Sequence, residues 1–227
     1  MPLETTVASA ELGQYRLGYQ LQRERLLDEV SSQYVPDADE LKEAWASFCK
    51  RHDLDPEKPA RTPREYAGCP PERLAWIVER DLRIGVWKNA TFGPDARERF
   101  FQRKPMLDRV VYSLLREKDL GVARELWFRL REKEAGFADL APTYASGNEV
   151  YTGGVVGPIA YGNMHAALAN VLRVAVPGEI LKPFTIAEWH LVARVDHQLP
   201  AEFDEAVRVQ MIEELLQLWL EEREKNV

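Results

Sequence analysis

Phe137-Ala138-Asp139-Leu140-Ala141-Pro142-Thr143-Tyr144, Gly153-Gly154-Val155-Val156-Gly157, Pro177-Gly178-Glu179-Ile180 and Trp189-His190-Leu191-Val192-Ala193-Arg194-Val195 are the four blocks whose reading decides the fold. The first is a short helix whose end Pro142 distorts. Gly153 and Gly154 supply the positive φ that a tight turn demands. Pro177-Gly178 marks a second turn, and the last block reads as a strand. Upstream, Val110 to Leu115 is a β-rich run, and Leu120 to Arg131 returns to helical periodicity through Val122, Leu126, Trp127 and Leu130. Met164 to Leu172 reads as a third helix, Ile180 to Ile186 as a strand, and Val155 to Ile159 as a short strand after the glycine loop. The order β-α-α-α-β-β predicts a four-stranded antiparallel sheet flanked by helices over residues 109–196.

Working outward, the first hundred residues are helical. Gln14 to Val30 is long and mixed, with Tyr15, Leu17, Leu21 and Leu26 as a partial stripe. Pro36-Asp37 starts a second helix that places Leu41, Ala44, Trp45 and Phe48 on one face. Asp53 to Tyr66, with three prolines, reads as a linker. A helix opening at Pro70-Pro71-Glu72 runs through Leu74, Ile77, Val78 and Leu82 towards Trp87, and Thr91 to Pro94 breaks it before another reaching Lys104. After Leu199-Pro200 a final helix carries Phe203, Val207, Met211, Leu215 and Leu218. Its apolar stripe needs a partner, and the helical first half is the expected one. The fold class is therefore α+β: a helical region 1–107, a small antiparallel sheet with helices over 108–200, and a C-terminal helix 201–227 that packs on the first region.

The 227 residues, 45% of them apolar, can bury a sizeable core. A net charge of −7 opposes sequence-independent nucleic-acid binding, which relies on neutralising phosphates. No run approaches the roughly 18 apolar residues of a membrane span, so no direct membrane insertion is expected. Residues 1–10 lack the basic and apolar regions of a secretory leader, and two cysteines are too few for a disulfide framework. The expectation is a cytoplasmic, reducing setting.

The four blocks, in this order and spacing, resemble the core of the parvulin peptidyl-prolyl isomerases over Arg109 to Asp196. The whole layout also resembles parvulin-containing foldases and chaperones, among them cyanobacterial-type parvulin proteins associated with polypeptide secretion. The resemblance implies an apolar pocket for a proline ring, with polar groups around the amide and no cofactor or metal. Residue by residue, it places His190 at the family's last-strand histidine and Trp189 at the aromatic position before it. Met164 and Leu168 fall at pocket positions. Tyr112 stands where the first-strand histidine falls, and Val155 where an Asp or Cys follows the paired glycines. The implied catalytic residues are thus His190 and Tyr112, and the implied substrate-binding residues Met164, Leu168, Trp189 and Val155. Rotation about the partial double bond faces a barrier of about 18–20 kcal/mol, which a site lowers by binding the twisted amide better than either planar form.

Each residue also has an ordinary structural reading. His190 suits a hydrogen-bonded strand position, Met164 suits packing, and Tyr112 and Val155 suit a sheet core. Cys49 and His52 lack the further ligands a metal needs, even with Cys69 nearby in sequence. Three functions follow from the resemblance. The favoured one is a folding or secretion factor that binds unfolded or proline-containing polypeptide with weak isomerase activity, a secretion-system component being a further expected partner. The others are a fully active isomerase and a structural subunit that docks one folded partner.

Overall fold

The computed structural model describes residues 13–58, 61–66 and 69–224. The first ten residues, read above as leaderless, lie outside them, as do the last three of the C-terminal segment. The chain divides into two compact units, one formed by residues 1–96 and 208–227 and the other by 97–207.

The first unit is helical. Helix α1 spans Leu17–Ser31; of the expected stripe, Tyr15, Leu17 and Leu21 are exposed and Leu26 is half-buried, and the buried leucine is instead its neighbour Leu27. Helix α2 spans Ala38–His52 and opens on a reciprocal cap. Asp37 accepts from the backbone N–H of Asp39 and Glu40, each at 2.9 Å, and the Glu40 carboxylate accepts from Asp37 N–H at 2.9 Å. Phe48 and Cys49 of this helix bury against Leu74 and Val78 of α3, Leu74–Phe92. Arg80 of α3 ties α1 down, donating to Asp28 at 2.5 Å and Glu24 at 2.6 Å. The tryptophans differ in burial, Trp76 being largely exposed.

The last helix, α8 (Glu205–Glu224), belongs to this unit from Arg208 onward. Trp219 meets Trp87 and Phe92 edge-on, with ring centroids 5.3 and 6.4 Å apart, and Lys88 pairs with Glu213 at 2.8 Å. Its buried residues are Met211, Ile212, Leu216 and Leu220, whereas Leu218, placed by sequence on the apolar stripe, is exposed. The buried face is thus centred on the i, i+4, i+8 row from Ile212, rotated from the row read through Leu215 and Leu218.

The second unit opens on α4, Ala96–Leu107, which carries Pro105 into its last turn instead of ending at Lys104. Then follow β1 (Arg109–Glu117), α5 (Leu120–Arg131), α6 (Phe137–Tyr144), β2 (Val155–Ala160), α7 (Ala166–Val174), β3 (Phe184–Ile186) and β4 (Trp189–Leu199). The four strands form one antiparallel sheet in the order β2-β1-β4-β3. The strand read over Ile180 to Ile186 is shorter than expected. Ile180 makes only an isolated bridge to Arg194, and pairing resumes at Phe184, after Pro183, which has no N–H to donate.

Alternation along the strands divides the core. Val110, Tyr112, Leu114, Leu191, Ala193 and Val195 face Leu168 and Leu172 of α7. Leu115 and Val192 face Leu126 and Leu130 of α5 and Phe137 and Leu140 of α6. A bulge interrupts the β1–β4 ladder: Val111 opposes His197 and Tyr112 opposes Val195, so Asp196 is left over. Its carboxylate is held from the α5–α6 side by Ser113 Oγ at 2.7 Å and Arg194 Nε at 2.6 Å.

Candidate functional site

On the α7 face of the sheet lies an open cavity of about 610 Å³, within the size range of small-ligand and peptide sites. Every strand contributes. Tyr112, Leu114 and Arg116 project from alternate positions of β1, Val155, Val156 and Gly157 come from β2, Ile186 from β3, and Trp189 and Leu191 from β4. Leu168 closes the α7 side. Gly157 fits here through its conformation. Its φ is +113°, and a Cβ on it would lie 2.5 Å from the Val110 carbonyl oxygen.

Four of the six residues singled out by sequence meet in this cavity: Tyr112, Val155, Leu168 and Trp189. Trp189 carries the Lys118 ammonium over its ring, 5.1 Å from the centroid. Met164 follows the short turn Tyr161–Asn163 and packs, partly buried, against the same core cluster without lining the cavity. His190 is on the other face of the sheet. Its neighbours Trp189 and Leu191 point into the cavity, so alternation turns His190 to the opposite side. There its Nδ1 lies 2.9 Å from Thr185 Oγ1 on the paired position of β3. The structure therefore does not join His190 to Tyr112.

The cavity also holds polar groups that the sequence reading passed over. Arg116 donates through Nε and Nη2 to the two carboxylate oxygens of Glu149, each at 2.6 Å. This is the bidentate geometry that makes such pairs strong. The Glu149 side chain is 1% exposed and that of Arg116 37%. Burial alone would push the Glu149 carboxyl up, but the Arg116 hydrogen bonds, a backbone N–H and the guanidinium charge outweigh it and hold it below its ordinary value. Gly147 makes room for the pair: a Cβ there would lie 1.9 Å from Arg116 Nη2 and 2.4 Å from Glu149 Oε2. The loop is knotted around Glu149, whose carbonyl accepts from Gly154 N–H at 2.8 Å.

Tyr112, 4% exposed, has its phenol pushed up by burial, so it presents a neutral hydroxyl over the working range of proteins. His165 borders the cavity as the N-cap of α7, its Nδ1 accepting from Ala167 N–H at 3.2 Å. That bond leaves the proton of the neutral ring on Nε2. The site is thus a largely apolar trough with a fixed guanidinium–carboxylate pair at one end and a histidine at its edge. Its chemistry suits binding an apolar ring beside a polar backbone.

Residues 120–196 match the family described as Rotamase: PPIC-type PPIASE domain. No curated protein matches the chain. Among solved structures, the peptidylprolyl isomerase PrsA of Bacillus cereus aligns at 16% identity with a TM-score of 0.47, covering 97% of this chain and 86% of its own. PrsA of Bacillus anthracis aligns at 14% identity and 0.45, covering 91% and 96%. A Campylobacter jejuni structure, described with PEB4 and Cj1289 as SurA-like chaperones, aligns at 12% identity and 0.40, covering 99% and 94%.

Proposed function

We propose that this chain, which belongs through residues 120–196 to the PPIC-type parvulin family, binds proline-containing stretches of unfolded polypeptide as a folding factor and turns their prolyl bonds over slowly. The observation that carries the reading is the composition of the cavity. Leu168, Trp189, Val155 and Leu191 offer an apolar seat for a proline ring, while His190 faces away from it and Val155 brings no polar atom to the amide. Binding needs the seat. Acceleration needs, in addition, groups that favour the twisted amide over the planar one.

The clients are unfolded chains in a reducing compartment, where Cys49 and Cys69 remain thiols, and a secretion-system component is a partner through which such clients would be passed on. The test is exchange spectroscopy on a short Xaa-Pro peptide. Shifts or broadening of the proline resonances with weak cis–trans cross-peaks support the reading. Strong cross-peaks that disappear in His190→Ala favour a competent isomerase. A peptide that does not bind overturns the pocket and favours a subunit that docks one folded partner.

A further inference from the structure

The Arg116–Glu149 pair is turned outward in one direction only. Glu149 is sealed from solvent and occupies the Nε–Nη2 edge of the guanidinium. Nη1 has no protein acceptor among the described residues, and Arg116 lines the cavity beside Leu114 and Tyr112. Arginine carries five N–H donors in a rigid fork, and the carboxylate engages only one edge of it. Arg116 thus lines the trough at this end with donors left over and with its positive charge already cancelled within hydrogen-bond distance.

We propose that Arg116 is a positioning residue that grips a backbone carbonyl of the bound Xaa-Pro segment through its free Nη1 edge. This deepens the peptide-binding reading above and rests on it. Charge cancellation decides the occupant. A bare guanidinium would favour a phosphate or a carboxylate side chain, but the partner that fixes Arg116 would repel a second anion at short range. A neutral carbonyl meets the donors without that repulsion, and every peptide supplies one next to its proline. The grip is therefore blind to the residue preceding the proline, which suits a site that takes many sequences. Fixing the fork in advance lowers the ordering cost of the hydrogen bond, since the side chain is held before the peptide arrives.

The experiment measures binding of an Ala-Pro peptide and of two ester variants, whose ester carbonyl is a poorer acceptor: lactic acid in place of the alanine, which weakens the carbonyl preceding it, and an α-hydroxy acid in place of the residue after the proline, which weakens the proline's own carbonyl. Wild-type protein is expected to bind one ester about 5- to 10-fold more weakly than the parent peptide. In Arg116→Met combined with Glu149→Leu, which leaves no buried charge unpaired, parent and ester should bind alike. Arg116→Lys, which keeps the charge and loses the fork, should behave like the double variant. Equal ester sensitivity in wild type and double variant overturns the proposal while leaving peptide binding intact. A wild-type preference of tenfold or more for Glu-Pro or phosphoserine-Pro over Ala-Pro overturns it as well. Failure of wild-type protein to bind any of these peptides overturns the peptide-binding reading and this inference with it.

Discussion

Replacing Gly147 by alanine should loosen the cavity without touching its apolar wall. The backbone at Gly147 is extended, φ −135° and ψ −162°, so alanine meets no conformational penalty there. The added methyl instead falls 1.9 Å from Arg116 Nη2 and 2.4 Å from Glu149 Oε2, and the guanidinium must move. Deleting one partner of a buried pair costs about 3–5 kcal/mol. Here the arginine is displaced rather than deleted, and its side chain is 37% exposed, so roughly 2 kcal/mol is the expected cost. At about 2–4 °C per kcal/mol for a chain of this size, Tm should fall by roughly 4–8 °C. The dependence on pH has a definite sign. Glu149 is held below its ordinary value, so the pair's contribution is complete above the unfolded carboxylate's range and is lost as pH falls through the folded value. The gap in Tm between wild type and Gly147→Ala should therefore close in acid. Scanning calorimetry across this range, repeated in the Arg116→Met, Glu149→Leu background, isolates the pair. An unchanged Tm at neutral pH, or the same loss in the background lacking the pair, would refute the reasoning.

Leu168→Ala, at a position 8% exposed between α7 and the sheet, should cost about 2–4 kcal/mol in urea unfolding and weaken Xaa-Pro peptide binding by more than Met164→Ala does; equal losses would mean that Leu168 is packing alone. Trp219→Ala removes the ring set against Trp87 and Phe92 and should destabilise the helical unit by about 3 kcal/mol, read from the denaturant midpoint of far-UV circular dichroism; a midpoint within error of wild type would refute it. Gly157→Ala forces a Cβ to 2.5 Å from the Val110 carbonyl at positive φ, so amide exchange along β2 and the start of β1 should accelerate, whereas unaltered protection would show that the strand absorbs the methyl.

Legibility followed distance along the chain. Helices and strands whose periodicity is local were readable, including the short strand after the glycine pair. Tyr112, Val155, Leu168 and Trp189 converge because each lies on a strand or helix face whose phase the apolar pattern sets. His190 shows where that fails: a motif gives a residue its place in a line, while a strand's pleat decides the side, and the two neighbours of His190 took the cavity. Arg116 and Glu149 were hidden for a different reason. One sits in a run of charges and the other in a glycine loop, 33 positions apart, and nothing local distinguishes a buried ion pair from two solvated side chains. Pro183, visible from the start, should have shortened its strand, because a missing N–H interrupts a ladder wherever it falls.

The division of the chain has a consequence for its own birth. The unit bearing the cavity is an insertion, and the helical unit receives its last helix only after that insertion has been translated. At roughly 5–20 residues per second, the stretch from Phe92 to Trp219 keeps Trp87 and Phe92 without Trp219 for about 6–25 s. The contiguous unit, residues 97–207, is translated whole before the residues that complete its host. A protein proposed to attend unfinished chains thus spends its own synthesis as one.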